Sequence, residues 1–232
     1  MLHFLYGENL YEISRYKNAI HKKFKDLDTS GLNTDIFDGN TLTYQKLISS
    51  VSAMPFLCDR RLIIIKNLLL ENKDSELKEK ISNYLDKIPD TSVVVFVEMG
   101  EPDKRQKLFK TLQKQKNSKH FPALEDKNLN LWVRKKILGN DLEIDSIVLE
   151  EFIGRIGSDQ FRLDNEIQKI ALFLNAKKSN KVTKEIVEKL IKSELNPEIF
   201  PFIEALARRD KKSALKILKE YQDWVMFEYN KK

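Results

Sequence analysis

The order of apolar and polar residues divides the first half of the chain into alternating strands and helices. Short apolar runs are typical of buried strands and occur at residues 2–6, 35–39, 61–66 and 91–97. Between these runs apolar residues return every three or four positions, which predicts helices over residues 10–27, 43–51, 75–85 and 103–116. This alternation predicts a mostly parallel sheet with helices on both faces.

The last strand of this region is predicted at residues 121–124, Phe-Pro-Ala-Leu, and at an edge of the sheet because proline is poorly tolerated in a central strand. From about residue 126 the strand pattern stops, and a helical spacing of apolar residues predicts four helices. Asn196 and Pro197 form a favoured helix start, and two more helices are predicted over residues 199–207 and 213–221. The predicted fold class is therefore α/β followed by all-α.

The composition limits where such a chain can work. With 41% of its 232 residues apolar it can bury a core, and its single cysteine, Cys58, cannot form an internal disulfide. No stretch approaches the roughly 20 apolar residues that a membrane helix needs, and residues 1–6 are too short for the core of a signal peptide. We therefore expect a protein of the reducing cytoplasm without a membrane contact.

The net charge of +6 is compatible with binding to nucleic acid. Basic residues gather in two places: Arg134, Lys135 and Lys136, then Arg208, Arg209, Lys211 and Lys212. Lysine-rich helices also carry such charge on solvated faces, and we favour that interpretation. A nucleic-acid-binding scaffold that acts through basic helix faces stays as the alternative function.

The turn after the first strand lacks the residues of a phosphate-binding loop. Such a loop needs glycines, a lysine for the phosphate charge and a serine or threonine for magnesium, whereas residues 7–12 read Gly-Glu-Asn-Leu-Tyr-Glu. Glu98 ends the strongest predicted strand and is interpreted as a solvated acid. The three histidines have no metal-binding spacing. We expect no cofactor, no metal and no enzyme activity.

The feature that most needs an explanation is an apolar turn, Met54-Pro55-Phe56-Leu57, which we call the plug. Pro55 restricts Met54 to extended conformations and cannot donate a backbone hydrogen bond, so a turn is predicted between a helix and a strand. The apolar side chains either pack under the sheet or are presented to a partner. The residues themselves leave both placements open.

Residues 53–65, Ala-Met-Pro-Phe-Leu-Cys-Asp-Arg-Arg-Leu-Ile-Ile-Ile, resemble a segment of the delta subunits of bacterial DNA polymerase III, the clamp-loader subunits that grip the sliding clamp. Other stretches agree with that family in order and spacing, namely residues 7–9, 37–39, 93–97, 103–105, 131–133, 157–159, 163–169, 199–200 and 208–210. Together they cover nearly the whole chain.

The resemblance implies a degenerate AAA+ module at residues 1–125, a helical lid at 126–195 and the start of a C-terminal helical collar at 196–232. The chain is expected to lack most of that collar, because only two helices are predicted after Asn196. Delta subunits of this family do not bind nucleotide. Motor subunits of the loader need a phosphate loop and several cysteines, which this sequence does not have.

The resemblance also implies partners and site residues. The family inserts an adjacent apolar pair into a pocket on the clamp and helps to open it; here the pair falls on Phe56 and Leu57, with Met54 beside them. The expected partners are the sliding clamp, the ATPase motor subunits and the delta-prime subunit. Contact with DNA is expected to be indirect or weak.

Overall fold

The computed structural model of the chain describes residues 1–28, 30–191, 202 and 205–219. The chain divides into two units, Met1–Leu124 and Glu125–Lys232. Among the described residues, no helix is both long enough and apolar enough to cross a membrane.

The first unit alternates strands and helices, as the apolar pattern predicts. Its elements are β1 (Leu2–Tyr6), α1 (Leu10–Lys25), β2 (Thr34–Asp38), α2 (Tyr44–Ser52), β3 (Arg61–Lys66), α3 (Leu68–Glu71), α4 (Ser75–Tyr84), β4 (Ser92–Glu98), α5 (Lys107–Gln113) and β5 (Asn117–His120). The five strands are parallel and lie in the order β2-β3-β4-β1-β5. With a helical second unit, this sheet confirms the predicted fold class.

The strands β3 and β4 lie inside the sheet and are covered on both faces. Ile63 and Ile65 belong to a core that includes residues of α2, α4 and α5, whereas Leu62 and Ile64 belong to a core that includes residues of α1. Every residue of β4 is buried. Because successive side chains of a strand point to opposite faces, an unbroken apolar run supplies both cores at once.

Two predictions for the first unit are wrong in detail. The edge strand is β5 and not residues 121–124; its sequence, Asn-Ser-Lys-His, is polar because an edge strand is partly exposed to solvent. The helix predicted over residues 103–116 is shorter and begins at Lys107. Before it, the N–H of Arg105 donates to the carboxylate of Asp103 (2.9 Å), which favours a turn over a further helical residue.

The second unit is mainly helical. Its elements are α6 (Asp126–Leu138), β6 (Glu143–Ile144), α7 (Ser146–Ile156), α8 (Gln160–Ala176), β7 (Lys181–Val182) and α9 (Lys184–Leu190). Each of the four helices supplies a fully buried residue to the core: Val133, Phe152, Leu163 and Val187. Residues 205–207 and 211–219 are also helical; the remainder of the two helices predicted over 199–207 and 213–221, apart from residue 202, lies outside the described residues.

The prediction that strands end near residue 126 is wrong. The strands β6 and β7 pair in parallel, with Glu143 opposite Lys181 and Ile144 opposite Val182. Two residues are too few to give an alternating pattern that could be recognised in the sequence.

Candidate functional site

The plug lies in the turn between α2 and β3, at the edge of the sheet where the strands begin. The helix α2 ends at Ser52, and Ala53 already has an extended backbone with ψ of 139°. Pro55 has no N–H to donate and restricts the residue before it to extended conformations, so the helix cannot continue. The strand β3 begins at Arg61.

The three apolar side chains of the plug are displayed to solvent. Met54 is 83% exposed, Phe56 54% and Leu57 78%. Of the two placements that the residues left open, packing under the sheet is therefore wrong. Several large apolar side chains exposed next to one another are typical of a surface that binds a partner.

Leu57 has a backbone conformation that leucine rarely adopts. Its φ is +54°, in the left-handed region where the Cβ of an L-residue crowds the following carbonyl at a cost of roughly 1 kcal/mol. Such strain persists only where the surrounding structure fixes the chain. One fixing contact follows directly, since the thiol of the half-buried Cys58 donates to the carbonyl of Arg60 (2.9 Å).

A buried asparagine from the loop between α1 and β2 holds the middle of the plug. Asn33 is fully buried. Its Oδ1 accepts a hydrogen bond from the backbone N–H of Phe56 (2.7 Å), and its Nδ2 donates to the Phe56 carbonyl (2.8 Å). The side chain of Asn33 therefore satisfies both backbone polar groups of a residue 23 positions away.

Asp28 fixes the orientation of that asparagine. Its carboxylate accepts hydrogen bonds from the Ser30 hydroxyl (2.7 Å), the side-chain amide of Asn33 (2.9 Å) and the backbone N–H of Asn33 (3.0 Å). These bonds, that of Ser30 first, lower the pKa of Asp28 to about 2, because donated hydrogen bonds favour the ionised carboxylate. Asp28 is therefore charged at neutral pH.

A second polar group ties together the elements on either side of the plug. Asp35, in β2, forms an ion pair with Arg61 at the start of β3 (2.7 Å). The same carboxylate accepts a hydrogen bond from the hydroxyl of Ser50 in α2. The helix before the plug and the strand after it are thus joined through β2, which fixes both ends of the turn.

The opposite edge of the sheet, where the strands end, is the place where α/β folds bind nucleotides. There the turn after β1 is closed by the protein itself. The N–H of Gly7 donates to the carbonyl of Gly100 (2.9 Å), and the N–H of Asn9 donates to the carbonyl of Phe121 (3.1 Å). A Cβ at Gly7 would lie 2.1 Å from the Phe121 oxygen. The side chain of Asn9 accepts from the N–H of Glu12 (3.0 Å), so several N–H groups of this turn already have partners.

The prediction that Glu98 is a solvated acid is wrong, because this residue is fully buried. Its carboxylate accepts hydrogen bonds from the backbone N–H groups of Leu69 (2.9 Å) and Leu70 (3.1 Å), in the short helix α3 that the apolar pattern does not predict. Burial raises the pKa of Glu98 to about 7, against the opposing effect of these hydrogen bonds. Glu98 therefore connects the end of β4 to α3.

Part of the first basic patch is engaged inside the second unit. Arg134 donates to the hydroxyl of Ser146 (2.9 Å), and Lys136 forms an ion pair with Asp164 (3.0 Å). Residues 208–212 are exposed. The alternative function, a nucleic-acid-binding scaffold, thus gains no geometric support from the first patch.

Fold and site together define a parallel α/β module, joined in sequence to a helical unit, with a candidate protein-binding turn at the edge where its strands begin. Residues 3–122 match the family model described as "DNA polymerase III, delta subunit". The match covers more than half of the 232 residues. The protein belongs to the DNA polymerase III delta subunit family.

Two similar proteins are themselves named as delta subunits or delta proteins. The DNA polymerase III subunit delta of Bacillus subtilis is 25% identical over 225 residues, which cover 92% of this chain and 63% of the relative. The solved structure of the Bacillus subtilis DNA clamp loader delta protein YqeN has a TM-score of 0.69 at 22% identity and covers 96% of this chain and 67% of its own. The RuvB Holliday junction branch migration motor of Thermotoga maritima has a TM-score of 0.47 at 15% identity, over 81% of this chain and 60% of its own. This chain thus spans about two thirds of the length of its delta relatives.

Proposed function

We propose that this protein binds the sliding clamp of a bacterial replicative DNA polymerase and helps to open it, as a clamp-loader subunit that does not itself hydrolyse ATP. Met54, Phe56 and Leu57 are the proposed contact with the clamp. The observation that carries the proposal is the exposure of these three side chains on a turn whose backbone is fixed from both sides.

The assembly proposed around it follows from the same family. The protein would stand beside the ATPase motor subunits and the delta-prime subunit in the cytoplasm, and would be an accessory subunit and not an enzyme. We assign residues 1–125 to the degenerate AAA+ module, 126–195 to the lid and 196–232 to the start of the collar. Contact with DNA would be indirect or weak.

The size of the plug suits a strong but local contact. Burying three large apolar side chains supplies roughly 5–8 kcal/mol before the costs of association are subtracted. A partner that offers a hydrophobic pocket for an adjacent Phe-Leu pair would gain most of this. The ordered backbone reduces the cost of association, because the turn does not have to be arranged at the moment of binding.

The closed turn after β1 supports the absence of ATP hydrolysis. Nucleotide-binding loops hold phosphates with free backbone N–H groups and a lysine. Here the N–H groups of Gly7 and Asn9 are bonded to carbonyl groups of the same unit. Glu98, at the end of β4, is occupied in hydrogen bonds to α3.

The direct test is a binding measurement with the sliding clamp of the same organism. The double substitution Phe56→Ala and Leu57→Ser is expected to abolish clamp binding while the circular-dichroism spectrum stays unchanged, because both side chains are largely exposed. Loss of fold in this variant would contradict the proposed contact.

A matched control removes similar apolar surface elsewhere. Ile147 is 80% exposed and Leu172 is 73% exposed, both in the second unit. The variant Ile147→Ala with Leu172→Ser is expected to bind the clamp as the wild type does. Equal losses in the two double variants would mean that the plug has no special role.

A further inference from the structure

We propose that Asn33 is a positioning residue that holds the plug in its binding conformation before the clamp arrives. The inference rests on the proposed function and adds to it the part of the protein that prepares the contact. The partner would meet a preformed turn and would not have to order a mobile one.

The contact between Asn33 and the plug satisfies both backbone polar groups of one residue. The backbone N–H and the carbonyl of Phe56 are both bonded to the one side-chain amide, at 2.7 and 2.8 Å. The amide oxygen can only accept and the amide nitrogen can only donate. The pair of bonds therefore allows one orientation of the amide, which in turn fixes where the Phe56 backbone lies.

Asn33 is itself held by the sheet and by Asp28. Its backbone carbonyl accepts a hydrogen bond from the N–H of Leu62 in β3 (2.8 Å). Its amide nitrogen also donates to the carboxylate of Asp28 (2.9 Å) and lies 3.2 Å from the hydroxyl of Ser30. Because Asn33 is bonded both to the sheet and to Phe56, it fixes the plug relative to the sheet.

The hydrogen bonds of Asn33 hold a turn whose side chains lie mostly in solvent. Phe56 and Leu57 expose most of their side chains and add little to the core. The buried polar groups beneath them are hydrogen-bonded to one another, and these bonds stabilise the exposed turn more than the core. Leu57 follows directly with φ of +54°, a conformation that a free turn would leave.

The first measurement is hydrogen exchange of the Phe56 amide in the free, full-length chain, followed by NMR. Although Phe56 lies in an exposed turn, we expect its amide to exchange at least about tenfold more slowly than an unbonded amide. The variant Asn33→Ala is expected to remove this protection. A Phe56 amide that exchanges freely in the wild type would overturn the proposal.

The control is a second buried asparagine of the same unit. Asn72 donates through its amide to the carbonyl of Gly39 (2.7 Å) and accepts from the N–H of Asp74 (2.8 Å), and neither partner lies in the plug. The variant Asn72→Ala removes these two side-chain hydrogen bonds, fewer than Asn33→Ala removes, and leaves the hydrogen bonds of Phe56 in place. We expect it to lower thermal stability as Asn33→Ala does, while the Phe56 amide stays protected.

The second measurement is clamp affinity at a temperature where all variants are folded. Asn33→Ala is expected to weaken binding by about ten- to hundredfold, because a few residues must then be ordered on binding, whereas Asn72→Ala keeps the wild-type affinity. Equal affinities of Asn33→Ala and the wild type would overturn the positioning role. If the wild type itself does not bind the clamp, the proposed function fails, and the role of Asn33 in clamp binding fails with it; exchange of the Phe56 amide would still decide whether Asn33 orders the turn.

Discussion

Leu57 is the residue at which the demands of folding and of the proposed clamp contact are most clearly opposed. Its backbone is left-handed, which a leucine adopts only at a cost, and its side chain is mostly in solvent. Neither feature helps the isolated fold. A leucine at this position therefore suggests selection for what the side chain does when a partner covers it.

Replacing Leu57 by asparagine separates the two demands. Asparagine adopts the left-handed conformation more readily, so the free energy of unfolding of Leu57→Asn is expected to stay within about 0.5 kcal/mol of the wild type or to rise. Clamp affinity should fall by about tenfold or more, because a leucine contact is lost. Chemical denaturation and a clamp-binding titration measure the two quantities, and full affinity of this variant would exclude Leu57 from the contact.

The sequence could predict the residues of the plug but not the residue that holds them. Pro55 between a helical pattern and an apolar run predicts a turn, so Met54, Phe56 and Leu57 could be named as candidates. Asn33 lies 23 positions from its partner, and no spacing in the sequence connects them. Its only local signal is the turn-forming composition of residues 28–33, Asp-Thr-Ser-Gly-Leu-Asn, which predicts a loop without assigning it a task.

Among the elements, α3 depends most on contacts outside itself. Four residues are too few for a helix to be stable alone. Glu98 accepts from two of its N–H groups, and Asn67, just before it, accepts at its side-chain oxygen from the N–H of Met99 (3.0 Å). The helix is thus held by the end of β4. Glu98 is also fully buried, so the free energy of unfolding should depend on whether its carboxyl group is charged.

This dependence predicts how stability changes with pH. The pKa of Glu98 is raised from 4.5 to about 7, so between these values the folded protein binds more protons than the unfolded chain. Its contribution to the free energy of unfolding is therefore fully present below about pH 4.5, falls by up to about 3 kcal/mol as pH rises to 7, and is level above that.

Denaturation across this pH range measures the effect. The variant Glu98→Gln is expected to lose this fall of the free energy of unfolding with pH, because the glutamine side chain does not titrate in this range. The neighbouring Glu71 is exposed, and Glu71→Gln is expected to keep most of it. A slope that survives Glu98→Gln would assign it to other groups.

Elements could be predicted from the sequence to the extent that they are buried. The runs of β3 and β4 are apolar because both of their faces are covered. The edge strand β5 is polar, so the apolar pattern predicts it wrongly at the residues that follow it. The strands β6 and β7 are too short to produce a recognisable pattern in the sequence. The helix α3 is stabilised by the buried carboxylate of Glu98, which is distant from it in sequence.

On the scale of the whole first unit, the two edges of one sheet differ in what they leave open. The edge where the strands begin displays the plug, and the edge where they end is closed by backbone hydrogen bonds around Gly7 and Asn9. A parallel sheet followed by helices could be predicted from the sequence. The opposite placement of the plug and the turn after β1 follows from a parallel sheet, but the exposure of the first and the closure of the second required the structure.

The closed edge of the sheet predicts that this unit does not bind nucleotide. A ligand that binds the folded state raises the melting temperature, by an amount equivalent to about 2.7 kcal/mol at a concentration a hundred times its dissociation constant. Magnesium-ATP at about 1 mM is expected to leave the melting temperature of this protein unchanged. An ATPase motor subunit of a clamp loader serves as the positive control. A rise of several degrees would show that the turn after β1 can open.

The carbonyl oxygen of Phe121 also stands in the way of introducing nucleotide binding at this turn. New lysine and threonine side chains within residues 7–12 would supply phosphate charge and a magnesium ligand. The N–H of Asn9 would still be bonded to that oxygen, which also fills the space beside Gly7. The chain after β5 would have to be rebuilt at the same time. Nucleotide binding at this turn would therefore need concerted changes at two distant places in the sequence.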